Sequence, residues 1–215
     1  MLLVKDPGHG GKDPGASGNG LIEADITKQI TDGTVKILSN YKVDIKLTPT
    51  GATLSARAAF ANQSKADFFF SIHVNAGGGT GYESYIHPAA SEATEAIAKI
   101  IHAEIASFYK QNGFPDRGLK RKNLAVLRET KMPAMLIENL FIDNKKDAEF
   151  LKSNLEAIIK AVAGALVKGL GLVRRKDKPD PCMVCRKLQK AEERARYLQQ
   201  IVNKAGSALA PEMHL

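Results

Sequence analysis

The sequence predicts an α/β fold, with a single central mixed sheet of about six strands, helices on both faces of that sheet, and a C-terminal helical appendage. Short apolar runs that end at glycine or proline alternate along the chain with longer segments whose apolar residues recur at helical spacing. One run, residues 67–75, is apolar almost throughout, which is typical of a strand buried on both faces. This interleaving of strands and helices favours one sheet covered on two sides.

In the first half of the chain, residues 2–5 predict a strand that runs into a long glycine-rich loop. Residues 23–41 carry apolar side chains at helical spacing, and residues 42–47 alternate as a strand does. Residues 54–66 are alanine-rich and predict a second helix. The order so far is strand, helix, strand, helix.

The second half of the chain continues the same alternation. We expect strands at residues 67–75, 81–87, 124–128 and 134–142 and helices at residues 91–111 and 144–170, the last capped at its start by Asn144. The total is six strands and four helices, which matches one sheet covered by helices on both faces.

The composition is that of an ordinary globular protein with a basic lean. Of the 215 residues, 44% are hydrophobic and 25% are charged, and the formal net charge is +8. These values exclude a disordered, fibrous or disulfide-stapled chain. The cysteines are Cys182 and Cys185, so a metal site in the first 181 residues must use histidine and carboxylate ligands. We expect no membrane span, and no signal peptide because charge at Lys5 and Asp6 comes too early.

The C-terminal part differs from the rest in charge and in pattern. A large domain over residues 1–172 is followed by a charged, proline-interrupted linker over residues 173–181 and a basic helical tail over residues 182–215. Residues 174–215 hold 10 lysines and arginines against 5 acidic residues. Within residues 184–205 a heptad pattern predicts a self-association helix, with seam positions Val184, Leu188, Ala191, Ala195, Leu198, Val202 and Ala205. Cys182 and Cys185 could hold a shared metal or an interchain disulfide, or be inert.

Four residues with ionisable side chains follow, or interrupt, apolar segments. His9 lies in the glycine-rich loop, Glu23 opens the first helix, His73 ends a buried strand, and Glu138 lies in another. Reacting groups in open α/β sheets collect beyond the carboxyl ends of the strands, so these side chains can share one crevice. Two imidazoles and a carboxylate with an open position make a catalytic zinc set, and a further carboxylate can act as base. Taken singly, each residue is also compatible with a surface histidine or a helix-capping glutamate.

Three other polar residues are interpreted as structural. His87 and His102 lie on a predicted strand and in the middle of a predicted helix, away from the four residues above. Arg57 lies on an amphipathic helix, where a structural ion pair is the ordinary role.

Several motifs, read together, identify a family. They are Asp6-Pro7-Gly8-His9-Gly10-Gly11, Glu23, Leu54-Ser55-Ala56-Arg57, Ser71-Ile72-His73-Val74-Asn75 and Leu136-Ile137-Glu138. In this order and spacing, over about residues 2–170, the chain resembles the zinc-dependent N-acetylmuramoyl-L-alanine amidases of the amidase-3 type. The resemblance implies one Zn²⁺ per catalytic domain held by His9, Glu23 and His73, with Glu138 as the catalytic carboxylate. Asn75, directly past a ligand, becomes a candidate substrate-binding residue.

Two features distinguish this chain within that family, one from its usual motif and one from its regulated members. Where the family has Glu-x-Gly-Phe, this sequence has Glu138-Asn139-Leu140-Phe141, which puts the local backbone path in question. The stretch between the strands at 67–75 and 81–87 is short, whereas regulated members carry a long helical insertion there. The chain therefore resembles the members with an open site.

The resemblance implies a peptidoglycan hydrolase that cleaves the amide between N-acetylmuramic acid and L-alanine. Because no signal peptide is expected, the protein would be made in the cytoplasm and reach the cell wall by another route, as a phage endolysin does. The alternatives are a sporulation or mother-cell autolysin of the same chemistry, a non-catalytic peptidoglycan-binding module, and a zinc peptidase. Besides peptidoglycan, the expected partners are an anionic wall polymer bound by the basic tail and a second copy bound through residues 184–205, with no nucleic acid.

Overall fold

The computed structural model describes residues 1–176 and residue 194. Residues 1–174 form one compact unit. Cys182, Cys185 and the heptad seam lie outside the described residues. The predicted boundaries at residues 172 and 181 stay a prediction.

The central sheet has six strands in the order β4-β1-β5-β8-β6-β7. The first four of these are parallel, β6 runs antiparallel to β8, and β7 runs parallel to β6. A two-stranded ribbon, β2 with β3, lies within the glycine-rich loop. The predicted mixed sheet is confirmed, and the strands are β1 (Leu2–Pro7), β2 (Ser17–Gly18), β3 (Leu21–Ile22), β4 (Asp44–Leu47), β5 (Phe68–Asn75), β6 (Tyr82–Ile86), β7 (Asp116–Arg121) and β8 (Ala134–Phe141).

Helices cover both faces of this sheet, as predicted. Along β5, Phe68 and Phe70 pack into one buried apolar cluster and Phe69 into the other, because successive side chains of a strand point to opposite faces. Helices α1, α3 and α6 enclose the first cluster, and α2 and α4 enclose the second. The helices are α1 (Glu23–Leu38), α2 (Leu54–Gln63), α3 (Glu92–Gln111), α4 (Ala125–Arg128), α5 (Lys145–Ser153) and α6 (Leu155–Gly169). Among the described residues, no helix is long and apolar enough to cross a membrane.

The strand predicted at residues 124–128 is wrong. Ala125–Arg128 forms a helical turn that buries Val126 and Leu127 in the second cluster. The sixth strand is instead Asp116–Arg121, at the edge of the sheet. An edge strand that is charged and half in solvent lacks the apolar run by which a buried strand is recognised.

The single helix predicted over residues 144–170 is two helices. Asn144 caps α5 as predicted, since its side-chain oxygen accepts from the backbone N–H groups of Lys146 at 3.0 Å and Asp147 at 3.3 Å. At Asn154 the backbone leaves the helical region, with φ −123° and ψ 22°. Both the backbone N–H and the side-chain amide of Asn154 donate to the carbonyl of Phe150, which closes α5 before α6 begins.

Candidate active site

Three neighbouring strands carry the candidate site residues at one edge of the sheet. β1, β5 and β8 are adjacent and parallel, so their carboxyl ends meet. His9 follows β1, His73 lies near the end of β5, and Glu138 is paired in register with His73 across β5 and β8. Glu23, the first residue of α1, reaches the same edge.

Glu23 joins the two histidines. Its Oε2 lies 3.2 Å from His9 Nε2, and its Oε1 lies 3.1 Å from His73 Nδ1. The same oxygens accept backbone N–H groups of Ala16 at 2.9 Å and Val74 at 3.1 Å, so the buried carboxylate is fixed in place. One ligand atom from each of His9, Glu23 and His73 lies within 4.8 Å of the others, and these two nitrogens and one oxygen suit a divalent transition metal.

The glycine-rich loop makes this close approach possible. A Cβ at Gly8 would lie 2.4 Å from Cε1 of His73, and one at Gly15 would lie 2.7 Å from Oε2 of Glu23. His9 itself has φ +63°, an uncommon conformation for a residue with a Cβ. Such strain is typical of a functional position held by its surroundings.

The hydrogen bonds between Glu23 and the two histidines shift the pKa values of these groups. The hydrogen bond with Glu23 raises the pKa of His9 to about 9, although burial acts the other way. Burial would raise the pKa of Glu23, but its hydrogen bonds with His73 and His9 bring it well below the usual range. His9 Nδ1 also contacts Asp13 Oδ2 at 2.8 Å, a contact that orients a ligating imidazole. Metal binding would displace the protons held between these groups, because imidazole ligates in its neutral form.

Glu138 differs from Glu23 in its surroundings. Its Oε2 is buried and has no hydrogen-bond partner among the described residues. Burial raises the pKa of Glu138 to about 7, although the nearby charge of His73 lowers it. A carboxyl group with a pKa near neutrality can both accept and return a proton at physiological pH.

Comparison with known proteins identifies the family. The sequence model of the N-acetylmuramoyl-L-alanine amidases matches residues 3–170. The chain is 46% identical over 175 residues to the amidase CwlM of Bacillus licheniformis, covering 79% of this chain and 67% of that protein. The chain belongs to the N-acetylmuramoyl-L-alanine amidase family. It is therefore a cell-wall amidase that acts on peptidoglycan, as the resemblance of its motifs implies.

Further relatives of this amidase have different stated roles. The chain is 46% identical over 175 residues to the sporulation-specific amidase of Bacillus subtilis, covering 79% of this chain and 67% of that protein. It is 44% identical over 176 residues to the endolysin of Bacillus phage SPP1, covering 79% of this chain and 64% of that protein. Among solved structures, the amidase of Clostridium difficile 630 superposes with a TM-score of 0.74 at 29% identity, covering 79% of this chain and 96% of that one.

Two more polar residues of the amidase are held in place beside the site. Arg57 is buried and contacts Asp6 Oδ1 at 2.7 Å and the carbonyls of Pro7 and His9 at 2.6 and 2.5 Å, so the structural pair expected for it is confirmed. It fixes the loop that presents His9. Asn75 donates from Nδ2 to Glu83 at 2.6 Å and accepts at Oδ1 from the N–H of Ala76 at 2.9 Å.

Sequence reasoning missed Glu83 and Asp13 as parts of this region. Glu83 is 3% exposed and lies opposite Glu138 in the pairing of β6 with β8. The signal for it was an acidic residue inside a predicted strand, as for Glu138. His102 is nearly buried between Ser84, at 2.8 Å, and Asp116, at 3.0 Å, as expected for a structural histidine.

Proposed function

We propose that this amidase uses zinc held by His9, Glu23 and His73, with Glu138 as its catalytic carboxylate. The observation that carries the proposal is the convergence of the three ligand atoms within 4.8 Å beside a buried carboxyl group that lacks a partner. Two nitrogens and one oxygen from three residues, with a position left open, are the donor set of a catalytic zinc site.

The reaction is hydrolysis of the amide that joins the lactyl group of N-acetylmuramic acid to L-alanine. His9, Glu23 and His73 would hold the zinc ion, which when bound would supply Lewis acidity to the amide carbonyl and to the attacking water. Glu138 accepts a proton from that water as the new C–O bond forms, and returns it to the departing nitrogen of L-alanine as the C–N bond breaks. Asn75 is the substrate contact in this proposal, and its side-chain amide donates to Glu83.

The experiment is mass spectrometry of purified peptidoglycan digested by the zinc-loaded protein, with a chelated sample in parallel. Free peptides that begin at L-alanine, with intact glycan strands and only in the zinc sample, are the expected products. Cleavage within the peptide would identify a peptidase instead. No soluble product in either sample would support a binding module.

For its biological role, we infer a phage endolysin, with a sporulation or mother-cell autolysin as the alternative. The relatives at 46% and 44% identity include both roles. An endolysin acts after the membrane has been opened by another agent, so the test is expression inside a susceptible bacterium. Lysis only after chemical permeabilisation of the membrane supports the endolysin role. Lysis without permeabilisation would show that the protein reaches the cell wall unaided, and would overturn that role.

A further inference from the structure

Glu83 lies beside the catalytic carboxylate without being part of the ligand set. Directly opposed residues of an antiparallel strand pair project to the same face of a sheet, so Glu83 and Glu138 share a face. Glu83 Oε1 accepts from Asn75 Nδ2 at 2.6 Å and from the hydroxyl of Tyr85 at 2.6 Å. This carboxylate is therefore anchored on one side by residues of the site.

The other side of Glu83 is held by two cations from the edge strand β7. Arg117 Nε lies 2.8 Å from Glu83 Oε2, and Lys120 Nζ contacts the same oxygen. Residues three apart on a regular strand point to opposite faces. Here the register shifts between Tyr82 and Ser84, so that β7 gains one residue, with Gly118 at φ +92°. This bulge turns both cations toward Glu83, and bulges commonly re-aim side chains next to active sites.

One positive charge is in excess among Glu83, Arg117 and Lys120. Burial would raise the pKa of Glu83, but hydrogen bonds from Lys120, Tyr85 and Arg117 lower it to about 2, so it is ionised. Two cations share this single carboxylate, and both are partly exposed, at 37% for Arg117 and 40% for Lys120. An anion approaching from solvent meets a net attraction.

Arg117 is presented in a fixed orientation. Its guanidinium lies 4.9 Å from the ring centroid of Phe141, which follows Glu138 on β8. Nε is bound to Glu83 and Nη1 lies 3.5 Å from the carbonyl of Thr80, while Nη2 has no hydrogen-bond partner among the described residues. A guanidinium already fixed loses little conformational freedom when it binds a ligand.

We propose that Arg117, with Lys120 beside it, forms a subsite for a carboxylate of the substrate's peptide. The inference rests on the proposed function. In peptidoglycan the residue after L-alanine is D-glutamate linked through its side chain, so its α-carboxyl group hangs free, either as the acid or as the amide. That group lies roughly two residue lengths, about 7 Å, from the scissile bond. An Arg117 fork prefers the acid, because a charge-assisted hydrogen bond is about twice as strong as a neutral one.

The test uses two soluble muramoyl peptides that differ only in having the α-carboxylate or the α-carboxamide at this residue. We expect the parent protein to cleave the acid with a kcat/KM about tenfold higher, mostly through a lower KM. In Arg117→Gln this ratio should fall close to one. Arg117→Lys keeps the charge without the fork and should retain part of the ratio. Melting temperatures show whether each variant is folded.

Arg121→Gln is the matched control, because Arg121 lies on the same strand but binds Glu95 and the carbonyl of Pro88. Its substrate ratio should equal that of the parent. A parent ratio near one, an unchanged ratio in Arg117→Gln, or an equal loss in Arg121→Gln would each overturn the subsite. If neither substrate is cleaved, the proposed function is contradicted, and the subsite is tested separately by binding. Calorimetric binding of the free acid and amide peptides to Glu138→Gln and its Arg117→Gln double variant then makes the same comparison without turnover.

Discussion

At the scale of single residues, Glu138 combines burial with a lack of partners. Its neighbour Glu23 is held by four contacts, whereas Oε2 of Glu138 has none among the described residues. The two glutamates have pKa values shifted in opposite directions, Glu23 downward and Glu138 upward to about 7. That separation supports the ligand role proposed for the first and the proton transfer proposed for the second.

Replacing Glu138 by glutamine removes the proposed proton transfer and keeps the shape of the side chain. We expect turnover of a soluble muramoyl peptide to fall by about 10²–10⁴-fold, the usual contribution of a general acid–base group. Zinc content, measured by atomic absorption, and the melting temperature should match the parent. Turnover within a few-fold of the parent, with zinc bound, would show that another group moves the proton.

Lys5 predicts a pH dependence of stability. It is fully buried on β1, and burial lowers its pKa to about 7, against a weaker opposing effect of Asp32. Between about pH 7 and 10 the folded side chain is neutral while the unfolded one is protonated, so unfolding takes up a proton. The free energy of unfolding should rise with pH in this window, by up to about 1.4 kcal/mol per pH unit from this residue.

Urea unfolding at several pH values measures this contribution as the difference between the parent and Lys5→Met. We expect the variant to lack the rise and to be more stable at pH 7 by about 1 kcal/mol or more, since no buried ammonium remains. Lys46→Met, at an exposed lysine of the neighbouring strand β4, controls for the loss of one charge. Parallel pH profiles for the parent and Lys5→Met would contradict the prediction.

Leu140 stands where glycine was expected, and it has the backbone conformation of one. Its φ is +63°, a left-handed value that costs a side-chain-bearing residue about 1–2 kcal/mol, and its side chain is fully buried. The register of β5 with β8 shifts between His73 and Asn75, directly opposite this position. The leucine therefore fills the core and leaves the bulge after Glu138 in place.

Substitution at Leu140 should reverse the usual order of alanine and glycine. Both variants lose the buried leucine, at about 2–4 kcal/mol, but only alanine keeps the left-handed strain. We expect Leu140→Gly to be at least as stable as Leu140→Ala by urea unfolding. At Leu136, buried on the same strand, glycine should be less stable than alanine by about 0.5–1 kcal/mol. If glycine were less stable than alanine at both positions, the left-handed strain at Leu140 would be refuted.

At the scale of elements, the buried strands could be predicted from sequence and the edge strand could not. β5 and β8 are buried on both faces, so burial leaves a continuous apolar run. β7 is an edge strand of mostly charged residues, and its pairing depends on a bulge that no local pattern shows. For the same reason the site residues at the ends of apolar strands were found, while the contacts of Glu83 with Arg117 and Lys120 were not.

The two asparagines that begin α5 and α6 differ in how they cap. Asn144 accepts from two backbone N–H groups and donates to the carbonyl of Gly79 at 3.0 Å, whereas Asn154 makes no side-chain cap bond to its helix. Asn144→Ala should lower the free energy of unfolding by about 1–2 kcal/mol. Asn154→Ala, the matched control, should lower it by less. Equal losses by urea unfolding would contradict a larger stabilisation by the cap bonds of Asn144.

At the scale of the whole molecule, the contacts of residues 173 and 174 indicate where the chain can be cut to remove the predicted basic tail. The N–H of Lys42 donates to the carbonyl of Val173 at 2.8 Å, and Tyr41 and Arg174 form a bridge between backbone segments. Residues 173 and 174 therefore belong to the compact unit. A protein ending at residue 176 keeps these contacts and should hydrolyse a soluble muramoyl peptide as the full chain does.

Removing residues 177–215 separates the two roles predicted for the tail. If the heptad pattern over residues 184–205 joins two copies, light scattering will show an oligomer for the full chain and a monomer for the truncated one, with equal sedimentation on purified cell walls. If the positive charge instead binds an anionic wall polymer, both proteins will be monomeric. Only the full chain will then sediment with walls, and salt will weaken that binding because the attraction between exposed charges is screened. Truncation that changes neither property would exclude both roles and leave the tail without an effect on assembly or attachment.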